Sequence, residues 1–138
     1  MINIVVNSDP KYLINKLTLQ AAVIEILKQN GIWGNIEVGI SIVSDRSMHE
    51  INRKYRGINA TTNILSFALD DPSDSVPLQH IPRVGFVKPP DRVVRLGDIV
   101  ISYPQVEKDA ALEGVTIEQE LVYLAQHGTK HLLGIHHN

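Results

Sequence analysis

The chain contains no cysteine. Disulfides are therefore excluded, as are zinc sites built on thiolates, and any metal must be held by histidine and carboxylate. A reducing cytoplasm suits that composition, and a cytoplasmic location is expected. No apolar run approaches the roughly eighteen residues that a membrane-spanning helix needs, so no membrane partner is expected. The opening residues Met1-Ile2-Asn3-Ile4-Val5-Val6-Asn7 hold no basic stretch followed by a long apolar one, the pattern of a secretory signal. Charge of one sign is scarce too. Thirteen Lys and Arg stand against 15 Asp and Glu, a net charge of −2, which excludes a protein that coats nucleic acid by bulk electrostatics but allows a local basic patch.

What is present is globular. Hydrophobic residues make up 43% and charged residues 20% of 138 positions, enough for one ordinary core and a single domain over residues 1–138. Strand-like and helix-like segments alternate, which predicts an α/β (α+β) fold with a mixed sheet of about four strands packed by helices. Strands are expected at 2–7, 36–43, 63–69 and 96–102. The second is the clearest, alternating Ile36, Val38, Ile40 and Ile42 against Glu37, Gly39 and Ser41. A helix from about Lys16 to Asn30, stopped by Gly31, carries Leu17, Ala21, Ile24 and Leu27 at helical spacing. Ser44 or Asp45 can cap a short helix through Tyr55, with Met48 and Ile51 on one side and Gly57 ending it. Ser102 with Gln105, and Thr116 with Gln119, have capping-box spacing and start two further helices. The last runs from about Ile117 to Leu133, with Gly134 at the position of a helix-ending glycine. Residues 70–95 hold five of the seven prolines and little periodicity, so a long excursion is expected there.

The chemistry concentrates at the end of that last helix, in His127-Gly128-Thr129-Lys130-His131-Leu132-Leu133-Gly134-Ile135-His136-His137. His127 and His131 stand four apart and project from one helix face, within reach of one ion. Gly134 lets the chain reverse and return a later histidine as third ligand. Three imidazoles with an open fourth position make a catalytic zinc site, in which bound water loses its proton near pH 7. A zinc protease helix of the form H-E-x-x-H uses the Glu after its first His as general base. Here that position is Gly128, so peptide hydrolysis lacks its proton acceptor.

With these residues the chain resembles the YbeY family of rRNA maturation endoribonucleases. The family signature H-G-x-x-H-L-x-G-x-D-H is met by His127, Gly128, His131, Leu132, Gly134 and His137. Three further segments are similar and fall in the family's order: Ile51-Asn52-Arg53-Lys54-Tyr55-Arg56-Gly57, Thr62-Asn63-Ile64-Leu65-Ser66-Phe67 and Leu96-Gly97-Asp98-Ile99-Val100-Ile101-Ser102. Two positions depart from the pattern. His136 stands where the family usually has Asp, and Ile135 where it has an aromatic.

The resemblance implies one zinc per chain on His127, His131 and His137, at the end of the C-terminal helix and at one end of a cleft. It implies Arg56 as the catalytic and substrate-binding arginine of that cleft. It also implies single-strand-directed RNA cleavage in small-subunit rRNA maturation and ribosome quality control, with rRNA and the small ribosomal subunit as partners. Zinc-bound water or an RNA 2′-hydroxyl would be the nucleophile. Two other readings stay open on the residues alone: a ribosome-assembly factor whose zinc is structural, and a metal-dependent hydrolase of another substrate. Arg56 itself reads either as a phosphate-recognising fork or as a solvated charge at a helix C-terminus. Arg83, Lys88, Arg92 and Arg95 form a basic stretch expected to be a solvated loop, and Asp98 is left without a role. His137 lies one residue from the final Asn138, so either metal orders it or the chain is a shortened form.

Overall fold

A computed structural model describes residues 1–69 and 93–135. Most of the expected excursion, together with Arg83, Lys88, Arg92, His136 and His137, lies outside the described residues. The elements run β1 (Ile2–Ser8), α1 (Lys16–Gln29), β2 (Ile36–Val43), α2 (Asp45–Arg56), β3 (Ile64–Ala68), β4 (Val94–Ser102), α3 (Tyr103–Glu113) and α4 (Ile117–Leu132). The four strands form one mixed sheet in the order β1-β2-β4-β3. β1 and β4 flank β2 in parallel, and β3 runs antiparallel along the outer side of β4.

The period-two pattern of β2 is realised in full. Ile36, Val38, Ile40 and Ile42 are all buried, while the residues between them are half-buried. Parallel register sets Ile4 and Val6 of β1 and Ile99 and Ile101 of β4 on the same face. Side chains of α1, α3 and α4 close over that face in a single apolar cluster. α1 turns a different side inward than its spacing suggested. Of the expected face, Leu27 is buried and Ile24 half-buried, but Leu17 and Ala21 are exposed, and Leu19, Ala22, Val23 and Ile26 are buried instead. The helix is apolar around most of its circumference, so the deciding contacts are tertiary. One of them is the Gln20 amide, which donates to the Ile4 carbonyl at 2.9 Å.

β4 begins two residues earlier than expected, at Val94, so the excursion does not reach Arg95. That residue belongs to the sheet and not to a basic loop. Its guanidinium sits 2.8 Å from Glu37 and 3.4 Å from Asp98, on the half-exposed side of the strands. Asp98 is thereby placed away from the face that α4 covers. A bulge at Leu96 shifts the β2–β4 register between Glu37 and Val38. Gly97, next to it, takes φ 145°, and a Cβ there would meet the Phe67 carbonyl oxygen and the Leu132 side chain. Only glycine lets α4 and β3 approach β4 this closely.

Candidate functional site

α4 is started and stopped by local chemistry. The Thr116 hydroxyl accepts from the Gln119 backbone N–H at 3.0 Å and the Gln119 side chain accepts from the Thr116 N–H at 2.9 Å, a reciprocal capping box. At the other end the Gly134 N–H donates to the His131 carbonyl and the Ile135 N–H to the Lys130 carbonyl. Gly134 has φ 79°, so the helix closes in a Schellman turn and the chain reverses just past His131.

Between the caps, Gly128 allows a close approach. It is buried, and a Cβ built on it would lie 3.0 Å from Ile99 Cγ2, 3.1 Å from Ile64 Cδ1 and 3.1 Å from Ser66 Oγ. This contact presses the last turns of α4 against β3 and β4. His127 and His131, one turn apart, are left half-buried at the edge of a cleft of about 440 Å³. Their ring centroids are 4.4 Å apart with planes inclined by 51°. β3 supplies Ile64, Leu65, Ser66 and Ala68 to the cleft, and Arg56 joins it from the end of α2.

Arg56 reaches the cleft because Gly57 ends α2 in the left-handed conformation, at φ 70°. Its Nη2 donates to the Ser66 carbonyl at 2.8 Å, and its guanidinium carbon lies 5.3 Å from the Phe67 ring centroid. Tyr55 packs edge-on against the same ring, 5.8 Å between centroids. One guanidinium N–H is thus held by β3, and among the described residues Arg56 forms no ion pair with a carboxylate. The structure brings Arg56, His127 and His131 into one cleft from two helices about seventy residues apart. Two imidazoles converging from one helix face suit zinc or a similar borderline metal. Among the described residues no group of three or more His, Cys, Asp and Glu could hold a metal ion. They supply two of the expected ligands, and His137 lies outside them.

Sequence reasoning missed what holds α2 in place. Asp45, at the start of that helix, accepts from Ser102 Oγ at 2.7 Å, from the Gln105 amide at 3.0 and 3.1 Å and from Thr61 Oγ1 at 3.0 Å. Burial pushes its carboxyl up. The Ser102, Gln105 and Thr61 donors, with the Lys108 charge, outweigh that and hold it below its ordinary value. The capping pattern Ser102-x-x-Gln105 was visible, but not that both residues also donate to Asp45. Because the folded state lowers this pKa, the carboxylate's contribution is complete above the unfolded value of about 3.9 and fades as pH falls below it. Asp45→Ala should cost about 2–4 kcal/mol at pH 7, since it strands the fully buried Ser102 hydroxyl, and the difference from wild type should shrink in acid. Urea unfolding at pH 7 and pH 3 measures both. A gap that is equal at the two pH values would rule out the ionised carboxylate as its source.

Glu120 of α4 is a second carboxyl that the sequence did not single out. It is 4% exposed, and burial, a hydrogen bond with Glu113 and the charges of Glu113 and Asp109 push it up to about 7. It lies outside the cleft lining and belongs to the α3–α4 contact.

Three comparisons relate the whole chain to known proteins. A family model described as Endoribonuclease YbeY matches residues 5–138. An Endoribonuclease YbeY of Roseiflexus castenholzii is 38% identical over 130 residues, covering 93% of this chain and 75% of the relative. One from Dehalococcoides mccartyi strain CBDB1 is 34% identical over 139 residues, covering 99% and 81%. Among solved structures, a solution structure from Thermotoga maritima superposes with a TM-score of 0.56 at 24% identity, over 100% of this chain and 75% of that one, a likeness of fold.

Proposed function

This chain belongs to the Endoribonuclease YbeY family, and from that premise we propose that it is a single-strand-directed metallo-endoribonuclease of rRNA maturation and ribosome quality control. The observation that carries the reading is the shared cleft. A phosphate-recognising arginine and a metal-competent histidine pair open onto the same space of about 440 Å³. His127, His131 and His137 would hold one zinc per chain. When bound, the ion would supply a Lewis acid at the reacting phosphate and lower the pKa of the attacking hydroxyl group, whether water or an RNA 2′-hydroxyl.

The remaining work falls to the chain's own residues. Arg56 is always charged and presents a planar fork of donors that matches two oxygens of one phosphate. Its bond to the Ser66 carbonyl and its contact with Phe67 set the fork's direction before RNA arrives, so less freedom is lost on binding. No carboxylate lines the cleft among the described residues, so the electrostatics there favour an anionic phosphate. rRNA in the small ribosomal subunit is the proposed partner and the cytoplasm the proposed location. No described helix is long and apolar enough to cross a membrane.

Cleavage of a single-stranded RNA by zinc-loaded protein, compared with an Arg56→Ala variant, tests the reading. The variant should cleave at least about ten-fold more slowly, roughly 1.4 kcal/mol of lost transition-state stabilisation. Zinc content should stay the same. Stability should fall by only about 1 kcal/mol, for one hydrogen bond of an exposed side chain. Arg56→Lys should recover little, because a point charge does not reproduce the fork. Full activity in the alanine variant would remove Arg56 from the mechanism. Zinc loss would make it a support of the metal site.

A further inference from the structure

We propose that Tyr123 is a stacking platform for one unpaired base of the RNA, adjoining the reacting phosphate. Tyr123 lies on α4 one turn before His127 and is 58% exposed. Its ring is nearly parallel to the His127 imidazole, with centroids 5.9 Å apart and planes inclined by 14°. Tyr123, Gln126, His127 and Lys130, all on α4, line a second, open pocket of about 280 Å³. His127 lines this pocket and the catalytic cleft alike, so the two spaces adjoin across a single imidazole.

The pocket has the parts that single-stranded nucleic acid uses. An aromatic face accepts any base, and a cation alongside takes the phosphate. Lys130 forms no ion pair among the described residues. Gln126 donates its amide to the Ala22 carbonyl of α1 at 3.1 Å, which anchors the pocket wall to the neighbouring helix. A strand with one phosphate between Arg56 and the histidine pair would carry its next nucleotide past His127 and over Tyr123. A paired base keeps its faces stacked and gains nothing here, so the subsite selects unpaired RNA. The inference rests on the endoribonuclease reading and extends it to substrate choice.

The test uses the full zinc-loaded chain and a 2′-O-methyl single strand carrying 2-aminopurine, shown by gel to stay intact during the measurement, whose fluorescence falls on stacking. Wild type should quench the probe. Tyr123→Ala should lose the quench and bind about ten-fold more weakly, as expected for one lost base–aromatic stack. Tyr123→Phe should restore both, and zinc content should be equal in all three. With an abasic strand of the same length, wild type and Tyr123→Ala should bind alike. Unchanged binding in Tyr123→Ala would overturn the subsite. So would a Phe variant as weak as Ala, or a loss of zinc in Ala, which would make the ring a brace for His127. If wild type still cleaves single-stranded RNA in those cases, the subsite alone is wrong. If wild type neither binds nor cleaves it, the endoribonuclease reading fails and takes the subsite with it.

Discussion

Replacing His131 with alanine should abolish the proposed zinc binding and reduce RNA cleavage by at least about a hundred-fold, since losing a residue that merely supports a metal ligand already costs roughly ten- to a hundred-fold. His127→Ala should match it, because the two rings stand 4.4 Å apart on one cleft. Neither ring belongs to the apolar cluster under the sheet, so the metal-free variants should unfold close to the metal-free wild type. The third position can be read in the same series. His137→Ala should lose zinc as His131→Ala does, while His136→Ala should keep it, because the family signature ends on the later histidine. Elemental analysis of protein prepared without chelator reports all four. Zinc retained in His131→Ala would dismiss the i, i+4 pair as the site, and equal losses at 136 and 137 would mean that the turn after Gly134 is built differently.

Gly128→Glu should damage the fold strongly. It would recreate the H-E-x-x-H pattern of a zinc protease, but the position faces the sheet and not the cleft. A Cβ would already lie 3.0–3.1 Å from Ile99, Ile64 and the Ser66 hydroxyl, so a whole carboxylate would be forced into a contact that has no room for it. A loss of at least about 4 kcal/mol is expected, a large part of the 5–15 kcal/mol that holds a domain of this size. Gly128→Ala is the milder control. It gains about 1 kcal/mol of helix propensity against crowding of about 1–3 kcal/mol, for a small net loss. Denaturant midpoints for the two variants settle the order. A Glu variant as stable as wild type would show that α4 can move off the sheet, and the protease arrangement would then be open to this scaffold.

That position illustrates how sequence and structure divided the work. The residue type at 128 was enough to disfavour peptide hydrolysis, since glycine offers no proton acceptor. Why glycine stands there was not legible. Its cause is a contact with β3 and β4, whose residues lie some thirty to sixty positions earlier. Arg56 followed the same course. Its place before Gly57 was plain, and so were its two readings. The bond to the Ser66 carbonyl that draws it to the cleft, and the Asp45 anchor at the other end of α2, join residues 10 and 57 positions apart, beyond the reach of helix or strand periodicity.

The sequence by itself determined everything that depends on short-range periodicity and backbone conformation. The buried face of β2, the caps of α2, α3 and α4, the Gly134 reversal and the shared face of His127 and His131 all follow from spacings of two to four residues. The tertiary structure decided which side of α1 turns inward, the start of β4, the ion-paired place of Arg95 and the meeting of Arg56 with the histidines. Each of these is a contact across the sheet or between helices. It depends on how apolar surfaces from distant segments pack at close range, and local patterns carry no record of that distance.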